Sequence, residues 1–153
     1  MCGNDRCVTP RQPGSYVLIM QLPQPTLLSV GKLGKFEFPA GWYVYAGSAL
    51  GPGGLAARIG RHRKTSKTPH WHIDRLRDRA ELTTVWYAAG SRRRECVWAR
   101  VLSTLPGARE VAPGFGASDC HCSTHLFHFP ERPDLLLFES SVGEPIRQDV
   151  TSV

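Results

Sequence analysis

Apolar and polar positions alternate between short blocks that predict strands and spaced patterns that predict helices. The first block, SYVLIMQL at 15–22, is β-branched and apolar almost throughout, and PQPT closes it as a turn. LLSVG at 27–31 then reads as a strand returning against the first, which makes a hairpin. A third block, WYVYAG at 42–47, is nearly all apolar or aromatic and belongs in the middle of a sheet. After the Gly51-Pro52-Gly53-Gly54 turn the pattern changes to a helix over about 54–66, with Leu55 and Ile59 four apart. A second helix is predicted over about 69–80, opened by Pro69, and LTTVWYAA at 82–89 returns to strand character. Ser91 is the expected cap of a helix running to about Leu105, where Pro106 and Gly107 stop it. Val97, Val101 and Leu105 recur every four residues along it, with Trp98 and Leu102 beside them. THLFHF at 124–129 and PDLLLF at 133–138 read as a final hairpin. This order predicts an α/β (α+β) fold, a small, mostly antiparallel central sheet flanked by helices.

The length of 153 residues suits one domain, with residues 1–13 expected as a flexible leader, 14–138 as the domain and 139–153 as a flexible tail. Apolar residues at 41% and charged residues at 21% exclude a disordered or fibrous chain. No apolar run approaches the length of a membrane span, and MCGNDRCVTPRQPG lacks the apolar stretch of a secretory signal, so a cytoplasmic protein is expected. The five cysteines are expected as reduced thiols.

A net charge of +6 and a pI near 9.4 favour a polyanionic partner, most simply nucleic acid. Within the first predicted helix, Arg58 and His62 lie one turn apart and on the side of Leu55 and Ile59, toward the sheet. An arginine there can hold a phosphate through two parallel hydrogen bonds, and a histidine can take a proton near neutral pH. The plainer reading makes both part of a basic run with Arg61, Arg63, Lys64 and Lys67, all candidates for phosphate contact together with Arg93.

Gly14-Ser15-Tyr16 at the first strand, Tyr43-Val44-Tyr45-Ala46-Gly47 in the third, Arg58 and His62 on the next helix, and Glu95 on a later one form an ordered set. That set resembles the GIY-YIG nuclease superfamily. The stretches GWYVYAGSALG, RIGRHRK, HWHIDRL and GFGASDCHCSTHLF resemble one branch of it, found alone or attached to archaeal endonuclease III-type repair proteins. The resemblance covers about 14–130 and implies a metal-dependent endonuclease acting on nucleic acid, DNA first, in repair, with a repair protein as a further partner. It implies that Tyr16 and Tyr45 line the site and help position or activate water. It likewise implies that Arg58 binds the scissile phosphate, that His62 is a base, and that Glu95 holds one Mg2+ or Mn2+ ion. The motifs here read Gly-Ser-Tyr and Tyr-Ala-Gly, and an added hairpin around 22–38 lengthens the gap between them. The alternative function is a non-catalytic nucleic-acid-binding module of the same fold, with Trp42 or Trp71 stacking on bases.

Cys120, Cys122 and His125, with Asp119 beside them and His70 and His72 elsewhere, have the residue types of a zinc site. The spacing C-x-C-x-x-H is not that of a standard pair of zinc knuckles and no second half is evident, so a structural or substrate-contacting loop is the favoured reading and zinc the lesser one.

Overall fold

A computed structural model of the chain describes residues 9–64, 71–117 and 120–150. It has a mixed α+β architecture built on one antiparallel sheet of five strands in the order β6-β4-β1-β5-β7. These are β1 (Gly14–Leu22), β4 (Gly41–Ala49), β5 (Glu81–Ala89), β6 (Leu126–Phe129) and β7 (Arg147–Val150). β2 (Thr26–Val30) and β3 (Gly34–Phe38) pair only with each other, as a separate two-stranded sheet. The strand expected to return against β1 therefore does not. β1 is instead flanked by β4 and β5, and the β2–β3 hairpin is the insertion anticipated around 22–38.

Alternation along β1 explains the two packed faces. Tyr16, Leu18, Met20 and Leu22 point to one side with Tyr43 and Tyr45 of β4, against Leu55 and Ile59 of α1 (Gly54–Arg63) and Ile73 and Leu76 of α2 (His72–Arg77). Leu28 and Val30 of the β2–β3 hairpin join the same core. Val17 and Ile19 point to the other side with Val44 and Ala46, against Trp98, Ala99 and Leu102 of α3 (Glu95–Thr104) and Phe138 of α4 (Leu135–Val142). A bulge between Ile19 and Met20 shifts the register of β5 by one residue, so both faces stay apolar across it. Among the described residues no helix is long and apolar enough to cross a membrane.

Three expectations need correction. PDLLLF is not a strand: Asp134 accepts a hydrogen bond from the amide of Leu136 at 2.9 Å and caps α4, which ends on the left-handed Gly143. Only Phe138 of that run is fully buried, edge-on to Trp98 at 5.4 Å, whereas Leu136 remains 70% exposed. The residues expected as a loose tail complete α4 and add β7 to the sheet, where Asp149 pairs with Arg63 at 2.5 Å. Ser91 does not cap α3: the helix begins at Glu95 after Arg94, with no side-chain cap. On the leader side, the carbonyls of Pro10 and Gln12 accept hydrogen bonds from Ala56 and Leu55 at 2.9 and 2.8 Å, so the end of that segment anchors α1.

Candidate functional site

The site forms at one end of the sheet, where the start of β1 meets the end of β4. Tyr16 pairs across the strands with Gly47. A methyl group at Gly47 would sit 2.5 Å from the Tyr16 ring and hydroxyl, so the phenol packs against bare backbone that only glycine provides. Tyr45 is packed in a similar way against Gly116, whose φ of +70° also favours glycine. Both tyrosines are buried, and both line an open hollow of about 480 Å3.

α1 crosses this end of the sheet because Leu55 and Ile59 anchor it to the core, and the same face carries Arg58 and His62. His62 is fully buried, with Nε2 2.7 Å from the Tyr16 hydroxyl and its ring 6.4 Å from that of Tyr45. Arg58 donates to the carbonyl of Ser48 at 2.7 Å and stacks over Trp71 at 4.6 Å. These contacts hold the guanidinium at the wall of the hollow.

Glu95 arrives from the opposite layer of the fold. It is the first residue of α3, and it reaches past the sheet end to accept a hydrogen bond from the Ser48 hydroxyl. Arg93 pairs with it at 3.2 Å while staying largely exposed. Tyr16, Tyr45, Arg58, His62 and Glu95 thus line one hollow, joined by Ser48, Trp71, His72, Arg93 and Gly116. Among the described residues that line it Glu95 is the single carboxylate. One carboxylate beside a hydroxyl, in an open and polar hollow, fits a hydrated Mg2+ or Mn2+ ion that keeps several waters.

The electrostatics follow from burial. Loss of solvent pushes the Tyr16 phenol well above its ordinary range, with Arg58 pulling the other way and Glu95 adding to the rise. Tyr45 is raised for the same first cause, reinforced by Tyr16 and Glu95. Both are neutral phenols at any physiological pH, able to pass a proton but not to hold a charge. Burial lowers His72 below its ordinary value, and its Nδ1 accepts the Gly116 amide at 3.0 Å.

The remaining candidates divide. Arg61 is committed to buried Asp74 at 2.9 Å and also stacks on Trp71 at 4.6 Å, and Arg63 is committed to Asp149. Lys64 is exposed at the end of α1. Lys67, His70 and Asp119 lie outside the described residues. Trp71 and Trp42 are both half-buried, the first in contact with two guanidinium groups and the second against the α3 side of the core, so neither is the exposed base-stacking platform expected. Cys120, Cys122 and His125 do come together, away from the hollow, and Cys96 of α3 joins them. His72 is not among them. Ser48, Trp71 as an arginine clamp, and Cys96 were not singled out by pattern: nothing in their spacing marks them, since each acts through a partner distant along the chain.

A family model described as "Domain of unknown function DUF123" matches residues 15–146. No curated protein and no solved structure matches the chain.

Proposed function

The chain belongs to the DUF123 family of domains of unknown function, and from the make-up of its cleft we propose that it is a divalent-metal-dependent endonuclease that hydrolyses a nucleic-acid phosphodiester. One observation carries this reading: Tyr16, Tyr45, Arg58, His62 and Glu95, drawn from β1, β4, α1 and α3, line the same open hollow. Those are the parts that phosphodiester hydrolysis requires, namely a proton acceptor, a phosphate clamp and a cation site. The resemblance to GIY-YIG nucleases supports the same assignment, with DNA as the substrate and repair as the setting.

Arg58, held by Ser48 and Trp71, presents a guanidinium that can grip two phosphate oxygens and offset the charge that builds on phosphorus. His62 is fully buried, its Nε2 contacts the Tyr16 hydroxyl, and both residues line the hollow. A water attacking the phosphorus passes its proton to the Tyr16 oxygen as the phenol proton moves to His62. The phenol stays neutral throughout, as its raised pKa requires. Tyr45 borders the same space and orients that water. Glu95, oriented by Ser48, would hold a Mg2+ or Mn2+ ion, which supplies Lewis-acid stabilisation of the phosphorus and leaving oxygens. Arg93, largely exposed beside Glu95, adds positive charge to the cleft for a neighbouring phosphate.

The non-catalytic alternative relies on the basic run around α1, and two of its members, Arg61 and Arg63, already neutralise Asp74 and Asp149. The test is incubation of the protein with end-labelled duplex, branched and single-stranded DNA and RNA, in Mg2+, in Mn2+ and in chelator. Metal-dependent cleavage of at least one substrate is expected. Binding without cleavage across the whole panel would replace this reading with the binding-module one.

A further inference from the structure

The chain beyond Gly116 returns to the sheet through Cys120, Cys122 and His125, and meets Cys96 on the first turn of α3. The sulfur atoms of the three cysteines and a ring nitrogen of His125 all lie within 4.8 Å of one another. Nε2 of His125 is 3.4 Å from the Cys120 sulfur and 3.8 Å from that of Cys96. A tetrahedral zinc ion with Zn–S bonds of about 2.3 Å and Zn–N bonds of about 2.0 Å sets sulfur and nitrogen roughly 3.5 Å apart. The four groups already stand at the spacing of a ligand shell.

Other features agree. All three cysteines are free thiols, not disulfides. His125 is 1% exposed, and imidazole is the commonest metal ligand among side chains. Three thiols and an imidazole crowded together satisfy each other poorly, because thiols are weak donors and acceptors. Arg100 borders the same region, where its positive charge offsets the negative charge of a site built from three thiolates. The half-site visible as C-x-C-x-x-H finds its missing member in Cys96, far upstream and on another element.

We infer that Cys96, Cys120, Cys122 and His125 bind one zinc ion in a closed tetrahedral site. Four protein ligands leave no open position for water, so the ion is structural. Its place gives it a specific job. Cys96 directly follows Glu95, and the loop it captures begins at Gly116, which packs on Tyr45 and donates to His72. The zinc pins that loop to the start of α3 and fixes two walls of the cleft relative to each other. Thiolate-rich and oxygen-only donor sets keep the two metals apart, zinc in this cluster and a hard cation at Glu95. The inference rests on ligand spacing alone and does not require the protein to be a nuclease.

The test begins with elemental analysis of full-length protein purified under reducing, chelator-free conditions after growth with zinc. About one zinc per chain is expected, and X-ray absorption at the zinc edge should show a shell of three sulfurs and one nitrogen. Cobalt exchange should give the intense visible bands of a tetrahedral thiolate site, a readout that needs no variant. Cys96→Ser should weaken zinc retention against a chelator by at least about tenfold and lower the melting temperature by on the order of 10 °C. The paired replacement Cys2→Ser and Cys7→Ser should leave both unchanged, as should Glu95→Gln for zinc content. Failure to take up zinc or cobalt, a shell with fewer sulfurs, undiminished retention in Cys96→Ser, or loss of zinc in Glu95→Gln would each overturn the assignment.

Discussion

The Tyr16 hydroxyl lies 2.7 Å from Nε2 of His62, a contact between the first strand and the last turn of α1. It couples a buried imidazole to a buried phenol, both of which line the hollow. Tyr16→Phe removes this bond while keeping the ring that packs over Gly47. Stability should fall by about 0.5–1.5 kcal/mol, the usual net worth of one buried hydrogen bond. Cleavage should fall by roughly 10²–10⁴-fold, because the proton route to His62 is cut. Denaturant unfolding and single-turnover cleavage measure the two effects. Unchanged cleavage would remove Tyr16 and His62 from the proton path.

Gly47 offers a second, steric handle on the same phenol. The added methyl of Gly47→Ala would lie 2.5 Å from the Tyr16 hydroxyl, and the buried ring cannot swing freely away. The variant should be destabilised by about 1–3 kcal/mol, as overpacked cores are. Its cleavage should drop as far as that of Tyr16→Phe. The double variant should lose less than the sum, since both act on one contact.

Alkaline stability follows from the buried phenols. Tyr16, Tyr45 and Tyr87 all have pKa values raised by burial above the ordinary 10.0. Above pH 10 the unfolded chain gives up these protons first, so it binds fewer protons than the folded one and stability falls as pH rises. The contribution is fully present below pH 10 and is lost through the folded-state titration. Denaturation midpoints between pH 8 and 11 should decline above about pH 10, with a shallower decline in Tyr45→Phe. An equal slope in that variant would show that Tyr45 titrates as a solvent-exposed phenol does.

The layered α+β fold was legible because most of it rests on strong local patterns. The apolar runs of β1, β4 and β5 and the four-residue spacing of Leu55 and Ile59 each specify an element without help. PDLLLF misled because three leucines in a row look like a buried strand, whereas the decisive signals were small ones, Asp134 as a cap and Gly143 as a stop. β7 was illegible for a different reason. RQDV is polar, and it is a strand only because the edge of β5 is there to pair with. Within the cleft, Arg58 and His62 could be read from helical spacing, while Glu95 was placed by resemblance to a nuclease pattern. Ser48 and Cys96 could not be read, since one is defined by a carboxylate and the other by a loop that only the folded chain brings to it.

The most direct measurement compares cleavage by the native protein and by Glu95→Gln in Mn2+, on the substrate that the native protein cuts best. The amide keeps the size of the side chain and can still accept from Ser48, so the fold should persist, as a matching thermal melt would verify. The account predicts that the variant binds the substrate and cuts it at least roughly 10²-fold more slowly. Equal cleavage by the two proteins would mean that the carboxylate beside Ser48 holds no catalytic cation, and that no hydrolytic centre lies between α1 and α3.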